Sequence, residues 1–369
     1  MIRIFMTGRD ANRSPLSYRA LAPLFGDVIQ RVAQPDRADL YLFARGRDIQ
    51  EAPRALVADW RARRRPVVLL SEEPFWDTTC LRRPLETQLV IDTGLGALPV
   101  TQINHLTSDV FRFARLPYYL LTNNRFINAY RWRFARNAAR GAGYWKRAFA
   151  DCAADVTFMC ERRRGPQFDI RLPERDVIGL CSWRTDLALA CRDGVVERLG
   201  QSWQGGASRF EVNNWHFDKL MRLDGHCRSL GAVENTHLPD YLTEKLFDAY
   251  ACGARPLYVA GPGHRLHELG LPAPAWLNLY GLSPQAAAAR TAAPFADSGF
   301  FDAYHAVQVR LAALFADAGA LAAERRRLKT ALLQALQRVL DAGSPVRAAA
   351  PGKACDGGQS ILSQGTIAR

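Results

Sequence analysis

The sequence predicts an α/β protein built as two Rossmann-type, parallel-sheet domains that face a cleft, with a C-terminal helix. Short apolar runs alternate with helical patterns in both halves, the signature of βαβ units. With 369 residues, 48% apolar and 23% charged, the chain can bury two cores of ordinary domain size. Near the C-terminus Leu328, Leu332, Leu336 and Leu340 recur every four residues, an apolar stripe along one helix. The expected division is an N-terminal domain over 1–165, a C-terminal domain over 166–342, and a disordered tail, rich in Ala, Gly, Pro and Ser, over 343–369.

In chain order, Ile2–Met6 reads as a first strand closed by Thr7-Gly8, and 39–43 as a second ending at Ala44-Arg45-Gly46. A helix is expected from about Glu51 to Arg64. Pro66-Val67-Val68-Leu69-Leu70 is a continuous apolar run, the mark of a strand buried on both faces. It stops at Ser71-Glu72-Glu73-Pro74, and Leu89-Val90-Ile91 follows as one more strand. The stretch 123–164, dense in Arg and aromatics, reads as helix. The βα alternation then restarts, with strands at 177–180, 230–233 and 257–260, a helix from about Thr243, and a last strand near 276–279. The pattern from Tyr304 to Leu340 is helical.

The opening MIRIFMTGRD does not read as a secretory signal, since Arg3 and Arg9 interrupt a short apolar stretch. No run approaches the roughly 18–20 uncharged residues of a membrane-spanning helix. Eight cysteines without paired spacing indicate neither a disulfide framework nor a zinc site, so reduced thiols and a cytoplasmic location are expected. The net charge of +13 favours anionic partners in general: phosphorylated ligands, nucleic acid or an acidic membrane.

Residues 230–261 carry the most chemistry. A buried strand ends in Glu234 and Asn235, and a short proline-containing loop leads to a helix opening at Thr243-Glu244-Lys245. That helix ends at Gly253, and the next strand emerges into Gly261-Pro262-Gly263. Thr243 has the residue type of an N-cap, and free N–H groups at a helix start attract phosphate. Lys245 in the first turn disfavours the helix slightly, which points to another purpose such as a diphosphate. Glu244 is suited to accept hydrogen bonds from ribose or sugar hydroxyls. Taken alone, the triplet also fits an ordinary capping pattern with solvated charges.

The whole segment resembles the donor-binding motif of the α-1,3/4-fucosyltransferases, glycosyltransferase family 10. Glu234-Asn235 stands at the family's E-N, and Tyr241, Thr243, Glu244 and Lys245 at its Y-x-T-E-K. Ala249, Gly253, Pro256 and Gly261 continue the pattern, while Val233 replaces the usual Phe. The resemblance is tight over 228–262, extends back to about Val177, and is thin in the N-terminal half. It implies a GT-B-like fold with 1–165 as the acceptor-side domain and 166–342 as the nucleotide-sugar donor-binding domain, an inverting transfer of fucose from GDP-fucose, and nucleotide-sugar contacts by Asn235, Tyr241, Glu244 and Lys245. Arg184, in Val177-Ile-Gly-Leu-Cys-Ser-Trp-Arg184, stands where the family has a diphosphate-binding arginine after the first strand of the donor domain. A surface arginine would give the same spacing. Trp203, Gly205 and Gly206 mark a nearby loop of open role.

Inversion needs a base for the acceptor hydroxyl. The resemblance places it at the end of an N-terminal strand in an E-S-P type sequence, so Glu72 matches when aligned on Pro74 and Glu73 is the reserve. A plain acidic turn after a strand would look the same. No D-x-D triplet occurs, so no metal-bridged diphosphate site and no required cofactor are expected, although a divalent ion could still assist. His264 and His267 are three apart but lack a companion acid or cysteine, and His264 is expected to line the cleft. The expected partners are a GDP-sugar donor and a glycan or glycolipid acceptor, not nucleic acid, with peripheral association at the inner membrane as a further expectation. Another GDP-sugar as donor, a basic nucleic-acid-binding protein suggested by the charge, and a non-catalytic sugar-nucleotide binder are the rival readings. For the helix of 304–340, packing on its own domain is favoured over membrane association.

Overall fold

The computed structural model describes residues 1–204, 214–295 and 299–343. Gly205, Gly206 and the tail from 344 lie outside the described residues. Two largely parallel sheets and surrounding helices make a mixed α/β architecture.

The first sheet contains β1 (Ile2–Met6), β2 (Ile29–Arg31), β3 (Leu40–Phe43), β4 (Val67–Leu70), β5 (Gln88–Asp92) and β6 (Ala97–Ile103), in the spatial order β2-β1-β3-β4-β6-β5. Every residue of β3 and β4 is buried, as their unbroken apolar runs require of strands covered on both faces. All neighbours pair in parallel except β5 and β6, which form an antiparallel hairpin over the Thr93–Gly96 turn. Gly94 (φ +70°) and Gly96 (φ +126°) supply the backbone conformations that turn needs. Between β3 and β4 the expected single helix is two, α1 (Gly46–Gln50) and α2 (Arg54–Arg63), because Pro53 lacks the N–H that would continue the first. After β4, α3 (Pro74–Trp76) runs into a π-turn over Asp77–Leu81.

Helices α4 (Tyr118–Leu121), α5 (Asn124–Ala138) and α6 (Ala142–Ala150) lead to β7 (Ala154–Met159). The expectation of helix throughout 123–164 therefore fails at its end. The alternation Ala154, Val156, Phe158 turns toward the core and makes a strand that the Arg-rich helices before it obscured. β7 is an interior strand of the second sheet, which thus begins inside the span assigned from sequence to the first domain. The remaining strands are β8 (Arg171–Leu172), β9 (Val177–Gly179), β10 (Val196–Leu199), β11 (Cys227–Gly231), β12 (Thr236–His237), β13 (Arg255–Tyr258) and β14 (Leu277–Asn278). The second sheet runs β10-β7-β11-β13-β14, parallel throughout. β9 is not one of its strands: it pairs antiparallel with β8 and β12 in a small third sheet.

In this half α7 (Cys181–Ala190) connects toward β10, α8 (Gln201–Gln204) follows it, and α9 (Trp215–Leu223) precedes β11. α10 (Glu244–Ala251) is the crossover from β11 to β13, the βαβ unit read from sequence. The chain ends with α11 (Pro284–Ala292), α12 (Phe300–Ala316) and α13 (Ala318–Gly343). The long C-terminal helix is broken at Asp317, whose Oδ1 accepts from Ala320 N at 2.9 Å and so starts a new helix. Leu328, Leu332 and Leu336 are fully buried, so the apolar stripe packs inward. α13 crosses back to the first half: Glu324 Oε1 accepts from the backbone N–H groups of Ala114, Arg115 and Leu116, and Lys329 pairs with Asp27 at 2.7 Å. No single helix among the described residues is long and apolar enough to cross a membrane.

Strand order reverses between β1 and β3 in the first sheet and between β7 and β11 in the second. In open α/β sheets the crevice beyond the carboxyl ends of such neighbouring strands is where ligands bind. Glu72 and Glu73 follow β4, Glu234 and Asn235 follow β11, and both sets lie at carboxyl ends.

Candidate functional site

α10 starts where the sequence places it, but Thr243 does not cap it as its residue type suggests. Thr243 occupies the N-cap position, yet its side chain accepts no helix N–H. Its hydroxyl lies 2.8 Å from both oxygens of Glu234, and its own N–H donates to Glu234 Oε1 at 2.8 Å. The consequence is a helix start that Thr243 leaves without an N-cap side-chain bond. Glu234, which is buried, also receives Lys245 Nζ at 2.8 Å, and Glu244 Oε1 lies 3.6 Å from the same ammonium. Burial opposes charge on Lys245, but Glu234 and Glu244 outweigh it and hold the ammonium above its ordinary range. Glu244 is buried, and its Oε2 has no hydrogen-bond partner among the described residues.

Arg184 sits in the first turn of α7 and is 5% exposed. Among the described residues it has no carboxylate partner within ion-pair distance. Among the described residues the guanidinium's one hydrogen bond is a long one, from Nη1 to Val233 O at 3.4 Å, and its Nε has no partner. Arg184 lies close enough to Lys245 to disfavour charge there, so two cations converge beyond the end of β11. Asn235 is half-buried at the start of α7, where its carbonyl accepts from Leu180 N at 2.9 Å and Cys181 Sγ lies 3.8 Å from its Oδ1. Arg184, Glu234, Asn235, Tyr241, Thr243, Glu244 and Lys245 are thus brought together around the β11 end. Arg184 arrives on the helix that links β7 to β10, not directly from the first strand of the sheet.

The two glutamates after β4 have different surroundings. The Glu72 side chain is 2% exposed and is bonded by three donors: Arg13 Nε at 2.7 Å and Tyr18 OH at 2.5 Å on Oε1, and Tyr118 OH at 2.6 Å on Oε2. Burial and the Glu72 charge push both phenols well above their ordinary range, so they remain protonated donors. Glu73 is half-buried, and Tyr241 OH donates to its Oε1 at 3.0 Å across 168 positions of sequence. Tyr241, from the segment that precedes α10, therefore meets the acidic turn of the first sheet. His105 packs edge-on against the Tyr241 ring with centroids 5.2 Å apart, and its Nε2 lies 3.1 Å from Glu72 O. Asp77, in the π-turn below, is pushed up to about 8 by burial, with the nearby Glu73 charge adding to the shift.

Several residues here were missed in the sequence. Asp248, fully buried on α10, accepts from Lys219 Nζ at 2.7 Å and Tyr130 OH at 2.6 Å, and His216 Nε2 lies 2.8 Å away. This network ties α5 and α9 to the helix that carries Lys245. The only signal in sequence was an Asp at mid-helix on an otherwise apolar face. Arg13, Tyr18 and Tyr118 gave none, because their partner is 46 to 59 residues distant. His264 and His267 do not form a metal pair. His264 Nδ1 accepts from Leu266 N at 3.0 Å while its Nε2 lies 3.3 Å from Tyr241 O, and His267 Nε2 lies 3.0 Å from Gly261 O. Burial, with His237 stacked alongside, pulls His264 down to about 3, so its ring is neutral. No group of three or more His, Cys, Asp or Glu among the described residues is placed to hold a metal ion. The seven described cysteines are free.

Compared with known proteins, the chain matches no family model and no curated protein.

Proposed function

We propose that this chain is an inverting glycosyltransferase of the fucosyltransferase type, with a GT-B-like pair of facing domains. It transfers a sugar from a GDP-sugar, GDP-fucose first among them, to a glycan such as a bacterial surface polysaccharide or lipopolysaccharide precursor. The observation that carries this reading is Arg184, a buried guanidinium without a carboxylate within ion-pair distance among the described residues, beside Lys245 and the start of α10 that Thr243 leaves uncapped. Such a cation is costly unless an anion completes it, and a diphosphate offers the paired oxygens a guanidinium fork binds.

The roles follow from the contacts. Arg184, Lys245 and the first-turn N–H groups of α10 stabilise the negative charge that grows on the diphosphate as it leaves. Glu234 holds Lys245 in place. The unpartnered Oε2 of Glu244 accepts a donor hydroxyl. The base is assigned to Glu73 rather than Glu72, because among the described residues Glu73 has one side-chain donor, Tyr241, whereas Glu72 is held by three. Glu73 takes the acceptor hydroxyl's proton as that oxygen bonds to the anomeric carbon from the face opposite the departing nucleotide. Glu72, with Arg13, Tyr18 and Tyr118, fixes the turn that carries it.

Thermal unfolding against a panel of GDP- and UDP-sugars tests the reading. Ligand at about a hundred times its Kd adds about 2.7 kcal/mol, a rise of about 5–10 °C for a domain of this size. Transfer is then assayed with the stabilising donor. If no GDP compound raises Tm, the proposal fails.

A further inference from the structure

The charge of this chain is unevenly placed. No acidic residue occurs between Asp109 and Asp151, a stretch that contains nine arginines and lysines. Most of it forms α4, α5 and α6, and α5 has two unlike faces. Phe126, Ile127, Tyr130 and Phe134 are buried toward α10 and α12. Trp132, two residues after Tyr130 and so on the opposite side of the helix, is 63% exposed.

Trp132 is not isolated. Arg136 lies over its ring at 5.4 Å and Arg133 at 6.0 Å. Arg133 Nη2 reaches Met221 Sδ on α9 at 3.6 Å, and Met221 and Phe217, one turn apart, are 57% and 58% exposed. On the other side Arg140 lies 4.5 Å over Tyr144 of α6, which is also exposed. One surface therefore carries Trp132, Tyr144, Phe217 and Met221 with Arg136 and Arg140 among them. Its acids are already engaged: Asp224 with Arg133 and Arg136 at 3.0 and 2.6 Å, and Asp218 with Arg222 at 2.9 Å.

We propose that this face of α5, α6 and α9 docks on an anionic lipid bilayer. The chemistry is that of the membrane interface: amphipathic Trp and Tyr rings at headgroup depth, Met and Phe reaching below, and guanidinium groups against lipid phosphate. The side chains project from helix surfaces, as insertion into a soft interface requires. The buried side of α5 meets α10 through Tyr130 and Asp248, so docking holds the candidate site at a fixed height above the lipid, where a lipid-linked acceptor would be presented.

The test is co-sedimentation of the full chain with phosphatidylglycerol–phosphatidylcholine vesicles and with pure phosphatidylcholine vesicles, at about 0.15 M salt. Binding to the anionic vesicles is expected to exceed binding to the neutral ones at least tenfold. The Trp132→Ala/Met221→Ala variant should lose about tenfold, and Arg140→Glu about twenty-five-fold, since each basic residue near such a surface contributes about fivefold and reversal counts roughly twice in free energy. Unchanged unfolding curves show that these surface variants fold. The proposal is overturned by failure to bind anionic vesicles, equal binding to neutral vesicles, or variants that bind as the parent does. Release of bound vesicles by duplex DNA, or a dimer abolished by the same substitutions, overturns it too. No sugar nucleotide enters the measurement, so its outcome is separate from that of the proposed transfer.

Discussion

Replacing Arg184 by methionine is expected to separate stability from ligand binding. In the free protein the guanidinium is 5% exposed, and among the described residues its Nε lacks a partner and its one hydrogen bond is 3.4 Å long; Lys245 repels it, while the Glu234 charge attracts it without touching it. A buried polar group left unsatisfied costs about 1–3 kcal/mol. Methionine fills a similar volume without a charge, so Arg184→Met should leave the free protein as stable as the parent or raise Tm by a few degrees. The bound state responds in the opposite sense. Charge-assisted hydrogen bonds contribute about 1.5–3 kcal/mol, so affinity for GDP should fall about ten- to a hundredfold. Calorimetric titration with GDP and urea unfolding without ligand read the two effects separately. A variant destabilised by more than about 1 kcal/mol with GDP affinity intact would show that Arg184 is a structural cation. That result would remove the main support for the diphosphate site.

The remaining expectations concern acids. Glu73→Gln should leave GDP binding intact and lower transfer by about 10²–10⁴, measured as turnover with saturating donor. Glu72→Gln should instead destabilise the fold, because it leaves Arg13 facing a neutral amide. The reverse outcome, with Glu72→Gln inactive but stable, would return the base to Glu72. Asp248→Asn breaks a buried pair with Lys219 and should cost about 3–5 kcal/mol by chemical unfolding. Burial opposes charge on Asp248, but Lys219 and His216 outweigh it and hold the carboxyl below its ordinary 3.8. Its contribution is therefore complete above about pH 4 and lost as pH falls further. The variant should show a flatter acid limb than the parent, and equal limbs would count against the assignment.

How far these features could be read beforehand depended on how local they are. β4 and the β11–α10–β13 unit were legible, because a buried parallel strand needs a run of apolar residues and a crossover helix needs a visible start and stop. β7 was not, since Asp155 and Thr157 interrupt its apolar positions and two Arg-rich helices precede it. β6 was hidden by Pro99, which the hairpin tolerates on an exposed position. The residues around the end of β11 were legible as a set because most of them lie within twelve positions. The surroundings of Glu72 were not, because pairing with Arg13, Tyr18 and Tyr118 is a tertiary fact with no local spacing. Thr243 shows the limit even within a clear motif. Its residue type suggests a cap, but Glu234, only nine residues earlier, takes the hydroxyl and leaves the helix start free.

Tyr241 links the two sides of the site. Its hydroxyl donates to Glu73 at 3.0 Å, its carbonyl is near His264 Nε2, and its ring packs on His105, which in turn lies against Glu72 O. One side chain from the segment before α10 therefore closes on the turn that holds both candidate bases. A hydrogen bond to a charged group is strong enough, at about 1.5–3 kcal/mol, to bias this closure but weak enough for a ligand to replace. With a nucleotide sugar bound, hydroxyls of the donor can compete for Tyr241, and each such exchange frees a lone pair on Glu73. On the proposed mechanism the base then becomes available when the donor is in place. That order keeps Glu73 masked by Tyr241 while no donor is bound.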